Sequence, residues 1–335
     1  MPVAARIHKF GDPSTIKIDD VPKPTAGPGQ VVVHVRLRPV NPSDYLSISG
    51  EYPGFTPKEF PAVPGLEGYG VIDTIGEGVT SVQPGQRVVP FFLNAKNGDG
   101  SWQEYVVLPE QAVMPIPDFV TDEAAAQLIV NPLAVLGMLK ELNAPEGSYI
   151  AQNAAGSVLG RLLIQIASHR NLKTVNVVRR AVQVPELKAL GADIVVSTEG
   201  KTIEQVSVEI KDALTDAEIH GAIDAVAGEG TELSTKIVKD GGKVLLYGVL
   251  EGLKASISAS DLLFRNLTVK GFWLSTLLAT LSQEELGGFI GEYIGLLAQG
   301  VVRPFSGEVF DLKDAFKAVQ KSVEVGRGGK VFLRS

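Results

Sequence analysis

Residues 148–180 read Ser148-Tyr149-Ile150-Ala151-Gln152-Asn153-Ala154, then Ala155-Gly156-Ser157-Val158-Leu159-Gly160, and end on Thr174-Val175-Asn176-Val177-Val178-Arg179-Arg180. The first group is an apolar strand and the second a tight turn of small residues. An apolar-periodic helix follows, and the third group is another apolar strand closed by two arginines. A strand, turn, helix and strand in this order form a parallel pair joined by a crossover helix.

The turn spaces Ala155, Ser157 and Gly160 as in a relaxed G-x-G-x-x-G. Small residues at its first and third positions let the backbone close and approach a pyrophosphate. Gly160 lets the helix lie against the strand, and the helix N-terminus offers free N–H groups and a positive dipole end. The unit therefore reads as a dinucleotide site, with Gly156, Ser157, Val158 and Leu159 lining the pyrophosphate. The end of the second strand selects the cofactor. An NAD site places Asp or Glu about 20 residues past the turn to accept from the ribose 2′-OH; here the position holds Arg179 and Arg180. Guanidinium groups there pair with a 2′-phosphate, so the expected cofactor is NADPH. The alternative is a pair of solvated arginines after a buried strand.

The chain has 335 residues, 44% of them hydrophobic, enough for a large core in two domains. A net charge of −7 argues against nucleic acid or an anionic membrane as the main partner. With no cysteine, disulfides, thiolate catalysis and thiolate metal ligation are excluded. No apolar run has the length of a membrane span. The stretch Met1-Pro2-Val3-Ala4-Ala5-Arg6-Ile7 leads directly into strand-like sequence without a transit or signal segment, and a cytoplasmic protein is expected.

The first 120 residues read as all-β. Val-rich runs such as Gln30–Leu37 and Gln86–Phe91 alternate with the Pro28-Gly29 and Pro84-Gly85 turns, and His34 reads as a solvated strand residue. Thr121 with Asp122-Glu123 marks an N-cap and acidic first turn, predicting a helix through Asn131. Strands are then expected at Ser148–Ala154, Thr174–Val178, Asp193–Ser197, Gly221–Val226, Lys243–Gly248 and Leu267–Phe272, alternating with helices, one of them at Gln283–Gln299. That alternation means a parallel sheet covered on both faces. The Gly328-Gly329 turn leads into Lys330–Leu333, a last strand expected to return to the first domain. The fold class is thus α/β. A small β-barrel domain over 1–124 and 301–335 accompanies a Rossmann, doubly wound domain over 125–300.

This order resembles the medium-chain dehydrogenase/reductase superfamily, whose barrel is GroES-like. The superfamily's Gly-His-Glu segment is matched by Gly65-Leu66-Glu67, so Leu66 fills the zinc-ligating His position. Asn41-Pro42-Ser43-Asp44 fills the ligand Cys slot, and the four histidines (His8, His34, His169, His220) form no cluster. No metal is expected, and Glu67 reads as a structural residue satisfying backbone groups. Within the superfamily the chain is most similar to mitochondrial-type trans-2-enoyl thioester reductases and their bacterial quinone-reductase-like relatives. The matching segments include Val40–Asp44, Gly50-Glu51-Tyr52, Gly100-Ser101-Trp102, Val130-Asn131-Pro132, Asn176-Val177-Val178-Arg179, Leu246-Tyr247-Gly248 and Gly271-Phe272-Trp273-Leu274-Ser275.

The resemblance implies that Tyr52 is the proton donor. Hydride addition to the β-carbon of an α,β-unsaturated thioester leaves an enolate that needs charge stabilisation and a proton at the α-carbon. A phenol, with a pKa of about 10, can do both. From the residues alone, Tyr52 in Gly50-Glu51-Tyr52-Pro53-Gly54 reads as a packing residue. The resemblance further implies cofactor contacts from Asn131, Tyr247, Gly248, Val249, Leu250, Phe272, Trp273, Leu274 and Lys330. Ordinary core packing is the competing reading for the aromatic pair. Two departures concern the substrate: Leu133 to Leu136 replace a Cys-Thr-Ala-Tyr run, and Arg179-Arg180-Ala181 replaces Arg-Asp-Arg.

The function expected is NADPH-dependent reduction of the activated C=C bond of a 2-enoyl thioester. A quinone or 2-alkenal reductase on the same scaffold is the alternative, and a nucleotide-binding protein without turnover is a third. A homodimer is expected through the edge strand Leu267–Phe272.

Overall fold

The computed structural model describes residues 1–92, 95–326 and 328–335. It divides into two compact units, Met1–Val130 with Pro304–Ser335, and Asn131–Arg303. Residues 125–130, expected in the second domain, lie in the first unit, and 301–303 lie in the second. The first shift has a local cause. Gln127 Nε2 donates to Phe305 O at 2.9 Å, and the Val130 N–H donates to Glu67 Oε2 at 2.9 Å, tying this segment to the first unit.

The first unit opens with the two-stranded pair β1 (Val3–Ile7) and β2 (Ile16–Asp20), followed by the long strand β3 (Gln30–Pro39). The expectation of an all-β first 120 residues misses one helix, α1 (Pro42–Ser49). Its start is encoded at Asn41-Pro42-Ser43-Asp44: Asn41 is the N-cap, proline at N1 needs no N–H partner, and the Asp44 carboxylate accepts from Asn41 N–H at 2.7 Å. Gly50 ends it in the left-handed conformation (φ 85°), which costs glycine no Cβ clash. Strands β4 (Tyr69–Ile75), β5 (Arg87–Pro90), β6 (Tyr105–Pro109) and β7 (Val113–Pro115) complete this part. β4 and β6 flank β3, antiparallel to it, and β4, β5 and β7 follow one another outward. The valines of β3 alternate into a core with Ile72, Val88 and Val106.

The helix expected from Asp122 through Asn131 is two helices. Thr121 Oγ1 caps α2 (Asp122–Ala126) through Ala124 N–H at 3.2 Å, and α2 stops where the Gln127 side chain turns back to Glu123 O. α3 (Val130–Leu142) begins where the Glu67 carboxylate meets its first N–H. A carboxylate there satisfies a donor that no helical carbonyl can reach, and it complements the helix dipole.

The second unit is the expected β-α series: β8 (Tyr149–Gln152), α4 (Val158–His169), β9 (Lys173–Val178), α5 (Val184–Ala189), β10 (Ile194–Ser197), α6 (Ile203–Leu214), β11 (Ile219–Asp224), α7 (Gly228–Ile237), β12 (Val238–Leu246), α8 (Ala259–Phe264), β13 (Thr268–Gly271), α9 (Leu274–Thr280) and α10 (Gln283–Ala298). The six strands are all parallel, in the order β10-β9-β8-β11-β12-β13. This is a doubly wound sheet whose order reverses between β8 and β11, the place where such sheets open a ligand crevice at their C-terminal ends. α6 and α7 cover one face through Val206, Ile210, Leu233 and Ile237, packed on Val175, Val177, Ala222 and Val244. β13 is the outermost strand, paired only to β12 among the described residues. No helix among those residues is long and apolar enough to cross a membrane.

The chain then returns to the first unit. β14 (Gly307–Asp311), α11 (Ala315–Val323) and β15 (Lys330–Arg334) join its sheet, with β15 antiparallel to β3 and parallel to β14. Val331 and Leu333 of β15, with Ala318 and Val319 of α11, bury against Ile7, Ile48, Phe55 and Trp102.

Candidate active site

The turn after β8 has the local structure its residues require. The Ser157 hydroxyl accepts from Gly160 N–H at 3.0 Å and caps α4, leaving the Val158 and Leu159 N–H groups without intrahelical partners. A Cβ on Gly160 would sit 2.7 Å from the Ala155 backbone, so only glycine lets the helix lie this close. Val158 is half-buried and the Leu159 side chain enters the core, so its contribution to the turn is its backbone. Two groups that sequence reasoning missed also hold the turn. Arg161 Nε donates to Gly156 O at 3.0 Å while its guanidinium is gripped by Glu186. A Cβ on Gly156 would lie 2.0 Å from Gln183 Nε2, which places that amide over the turn. The signal for Arg161 was its position one helical step past Gly160.

Arg179 and Arg180 emerge at the C-terminal end of β9, Arg179 exposed and Arg180 half-buried. Among the described residues neither makes an ion pair, and no carboxylate stands in the slot where an NAD site places one. Two unpaired guanidinium groups beside a capped, glycine-bearing helix N-terminus fit a dinucleotide carrying a 2′-phosphate.

Asp224, fully buried at the end of β11, organises the crevice. Its carboxylate accepts from Asn153 Nδ2 at 2.6 Å, from Val226 and Ala227 N–H at 2.8 and 3.1 Å, and from Thr231 Oγ1 at 2.5 Å. Asn153 Oδ1 in turn accepts from Ala225 N–H at 2.7 Å. Tyr247, half-buried beyond β12, donates its N–H to Asp224 O at 2.8 Å, and its hydroxyl meets the Ser157 side chain. Burial, with the negative Asp224 nearby, pushes the Tyr247 phenol up, so it stays protonated. Gly248 has no room for a Cβ, which would lie 2.5 Å from Ala225 O. Val249 and Leu250 are exposed.

Phe272 N–H donates to Leu246 O at 2.8 Å, and the half-buried ring lies over Gly137, where an added Cβ would stand 3.0 Å from it. Trp273 is 42% exposed and caps α9, Leu274 is half-buried, and Asn131 is half-buried in the first turn of α3. The second unit therefore brings Gly156, Ser157, Tyr247 and Gly248 to one crevice, with Arg179 and Arg180 at the end of the neighbouring strand.

Tyr52 and Lys330 belong to the first unit. Glu51 and Tyr52 N–H both donate to Leu46 O, at 2.9 and 3.1 Å, so Tyr52 follows the end of α1 directly. Its ring is half-buried, and a Cβ on Gly54 would lie 2.4 Å from it. Lys330, expected as a polar contact to the cofactor, is 3% exposed, and its ammonium donates to Asn41 Oδ1. β15 pairs with β14 and β3 on either side, and its residues Lys330 to Leu333 are all buried. Asn41 Nδ2 donates to Glu67 Oε1 at 3.0 Å, so Asn41, Asp44, Glu67 and Lys330 form one buried cluster. Burial pushes the Asp44 carboxyl up to about 7 and raises Glu67, while the Lys330 charge opposes both shifts. Asp44 escaped sequence reading, although its place three residues after Asn41 is a capping signal.

Comparison with known proteins agrees with both units. The profile of the alcohol dehydrogenase GroES-like domain matches residues 27–118, and that of the zinc-binding dehydrogenases matches 158–288. The chain is 30% identical over 330 residues to the mitochondrial enoyl-[acyl-carrier-protein] reductase of Arabidopsis thaliana, covering 96% of this chain and 85% of that one. It is 35% identical over 275 residues to the Mus musculus protein of the same name, covering 80% and 71%. A solved Pseudomonas syringae quinone oxidoreductase superimposes with a TM-score of 0.86 at 25% identity, over the full length of both chains.

The second profile carries zinc in its description, but the residues here do not fit the ion. Structural and catalytic zinc sites use three or four Cys, His or carboxylate ligands. This chain has no cysteine, and the described residues contain no group of three possible ligands. Leu66 packs into the apolar core under β4, and both Glu67 oxygens already accept, from Asn41 and Val130. The chain belongs to the medium-chain dehydrogenase/reductase superfamily, in the family of the mitochondrial enoyl-[acyl-carrier-protein] reductases.

Proposed function

We propose that this protein is an NADPH-dependent reductase of the activated C=C bond of 2-enoyl thioesters, with Tyr52 as the proton donor. The observation that carries the cofactor choice is the unpaired Arg179-Arg180 pair at the end of β9. When bound, the cofactor supplies a hydride to the β-carbon of the substrate. The Val158 and Leu159 N–H groups, with the Ser157 hydroxyl, hold its pyrophosphate, and Arg179 with Arg180 takes the 2′-phosphate. Tyr247, kept protonated, donates or accepts at the mouth of the crevice. Gly248, Val249, Leu250, Phe272, Trp273, Leu274 and Asn131 line the space for the nicotinamide and acyl chain. In the first unit, Tyr52 hydrogen-bonds the thioester oxygen as negative charge builds there, then gives its proton to the α-carbon.

The full-length match to enoyl reductases supports this substrate class. The superposition on a quinone oxidoreductase supports a second reading, quinone reduction on the same scaffold, which needs no placed proton donor. NADPH consumption measured side by side with crotonyl-, hexenoyl- and decenoyl-thioesters and with 1,4-benzoquinone separates the two. Tyr52→Phe is expected to cut enoyl turnover severely. If it leaves enoyl turnover intact while quinone is the faster substrate, the second reading replaces the first.

The edge strand β13, paired only to β12 among the described residues, and the exposed Leu263 and Phe264 of α8 support a homodimer.

A further inference from the structure

We propose that Lys330 is a positioning residue for Tyr52, acting through Asn41 and helix α1. The proposal rests on the reading of Tyr52 as proton donor. A lysine ammonium that is 3% exposed has exchanged its hydration for protein partners, and such groups persist only where they are paired. Lys330 sits on β15, at the far end of the chain from α1, and donates to Asn41 Oδ1 across 289 residues of sequence.

That contact fixes Asn41 completely. An ammonium only donates and a carboxylate only accepts, so the Asn41 amide must turn its oxygen to Lys330 and its nitrogen to Glu67 Oε1, 3.0 Å away. The Asn41 N–H goes to Asp44 Oδ2 at 2.7 Å. Asn41 is also the N-cap of α1, so the buried cluster sets where the helix starts and in which direction it runs. At the other end, Gly50 stops α1, and the Glu51 and Tyr52 N–H groups both close on Leu46 O. Between Asn41 and Tyr52 lies a two-turn helix about 12 Å long, hydrogen-bonded at both ends. Moving its cap therefore moves the phenol. Ile48 of the same helix is fully buried in the core cluster that also holds Trp102.

Neutralisation of Asp44 and Glu67 alone would be a purely structural role for Lys330. Lys330→Met and Asn41→Ala distinguish the two. The first removes the charge, and the second cuts the link to α1 while keeping Lys330 beside both acids. Each is measured for kcat and KM with crotonyl-coenzyme A, for NADPH affinity by fluorescence titration, for the solvent deuterium isotope effect on kcat, and for Tm. Positioning predicts that both variants lower kcat tenfold or more and raise the isotope effect, as proton delivery becomes slower, with NADPH affinity changed less than twofold. Should Lys330→Met fail to fold, Asn41→Ala still carries the test. A kcat and isotope effect unchanged in Asn41→Ala overturns the proposal. So does a loss in Lys330→Met that follows weakened NADPH binding. Tyr52→Phe measured alone tests the underlying reading: a wild-type rate there removes the proton-donor role, and the positioning role with it.

Discussion

Asn153 Nδ2 donates to the buried Asp224 carboxylate at 2.6 Å and so joins the ends of β8 and β11, the two strands between which the sheet order reverses. The same amide accepts from Ala225 N–H, and Asp224 also holds Val226, Ala227 and Thr231. The crevice floor is therefore pinned from both sides by one amide and one carboxylate. Asn153→Ala removes a charge-assisted bond and a backbone partner, and should lower stability by roughly 1.5–3 kcal/mol. NADPH affinity should fall with it. Urea unfolding with an unchanged midpoint would count against this role.

Cofactor discrimination should reside at Arg179 and Arg180. A charge-assisted contact to phosphate contributes roughly 1.5–3 kcal/mol, about tenfold to a hundredfold in affinity. Arg179→Ala is expected to weaken NADPH by that factor and leave NADH nearly untouched. Equal kcat/KM for the two cofactors in the unaltered protein would end this assignment.

Stability should fall with rising pH through the Asp44 window. Its carboxyl titrates near 3.8 when unfolded and about 7 when folded, because burial disfavours the anion. Below the unfolded value the group is protonated in both states and costs nothing. As pH rises toward 7 the unfolded chain gains the ionised form first, so folding loses stability across that interval. Glu67, also raised by burial, acts in the same direction. Asp44→Asn should be stabilised relative to the parent at pH 8 and much less so at pH 5; equal differences at the two pH values would refute the effect.

Metal independence follows from Leu66, the absence of cysteine and the occupied Glu67 carboxylate. Exhaustive chelation should leave turnover unchanged. One tightly bound zinc per chain in elemental analysis would contradict it.

Assembly should follow from the open edge of β13. Leu263 and Phe264 are 74% and 84% exposed, and β-branched Thr268 and Val269 follow in sequence on the edge strand itself. Pairing with a second copy would continue the sheet and cover this apolar surface. Sedimentation equilibrium should give about twice the 35.6 kDa chain mass, and a monomer at micromolar concentration would rule the dimer out.

The sequence alone determined the doubly wound second unit, its tight small-residue turn after β8, the arginine pair at the end of β9, and the misfit with zinc. These rest on signals carried within a few residues: a two- or 3.6-residue hydrophobic period, a small residue where no Cβ fits, a charge at a strand end, a missing ligand type. Tyr52 was nominated by resemblance, since a tyrosine in a Gly/Pro loop has no local mark of chemistry. Tertiary structure alone decided the rest. It broke the helix after Thr121 by bringing Glu67 to Val130 N–H across 63 residues, and it joined Asn153 to Asp224 across 71. It turned Lys330 inward to Asn41 across 289. Buried polar groups must find partners wherever the fold brings donors and acceptors together, and no local pattern in the chain records which distant residue that partner will be.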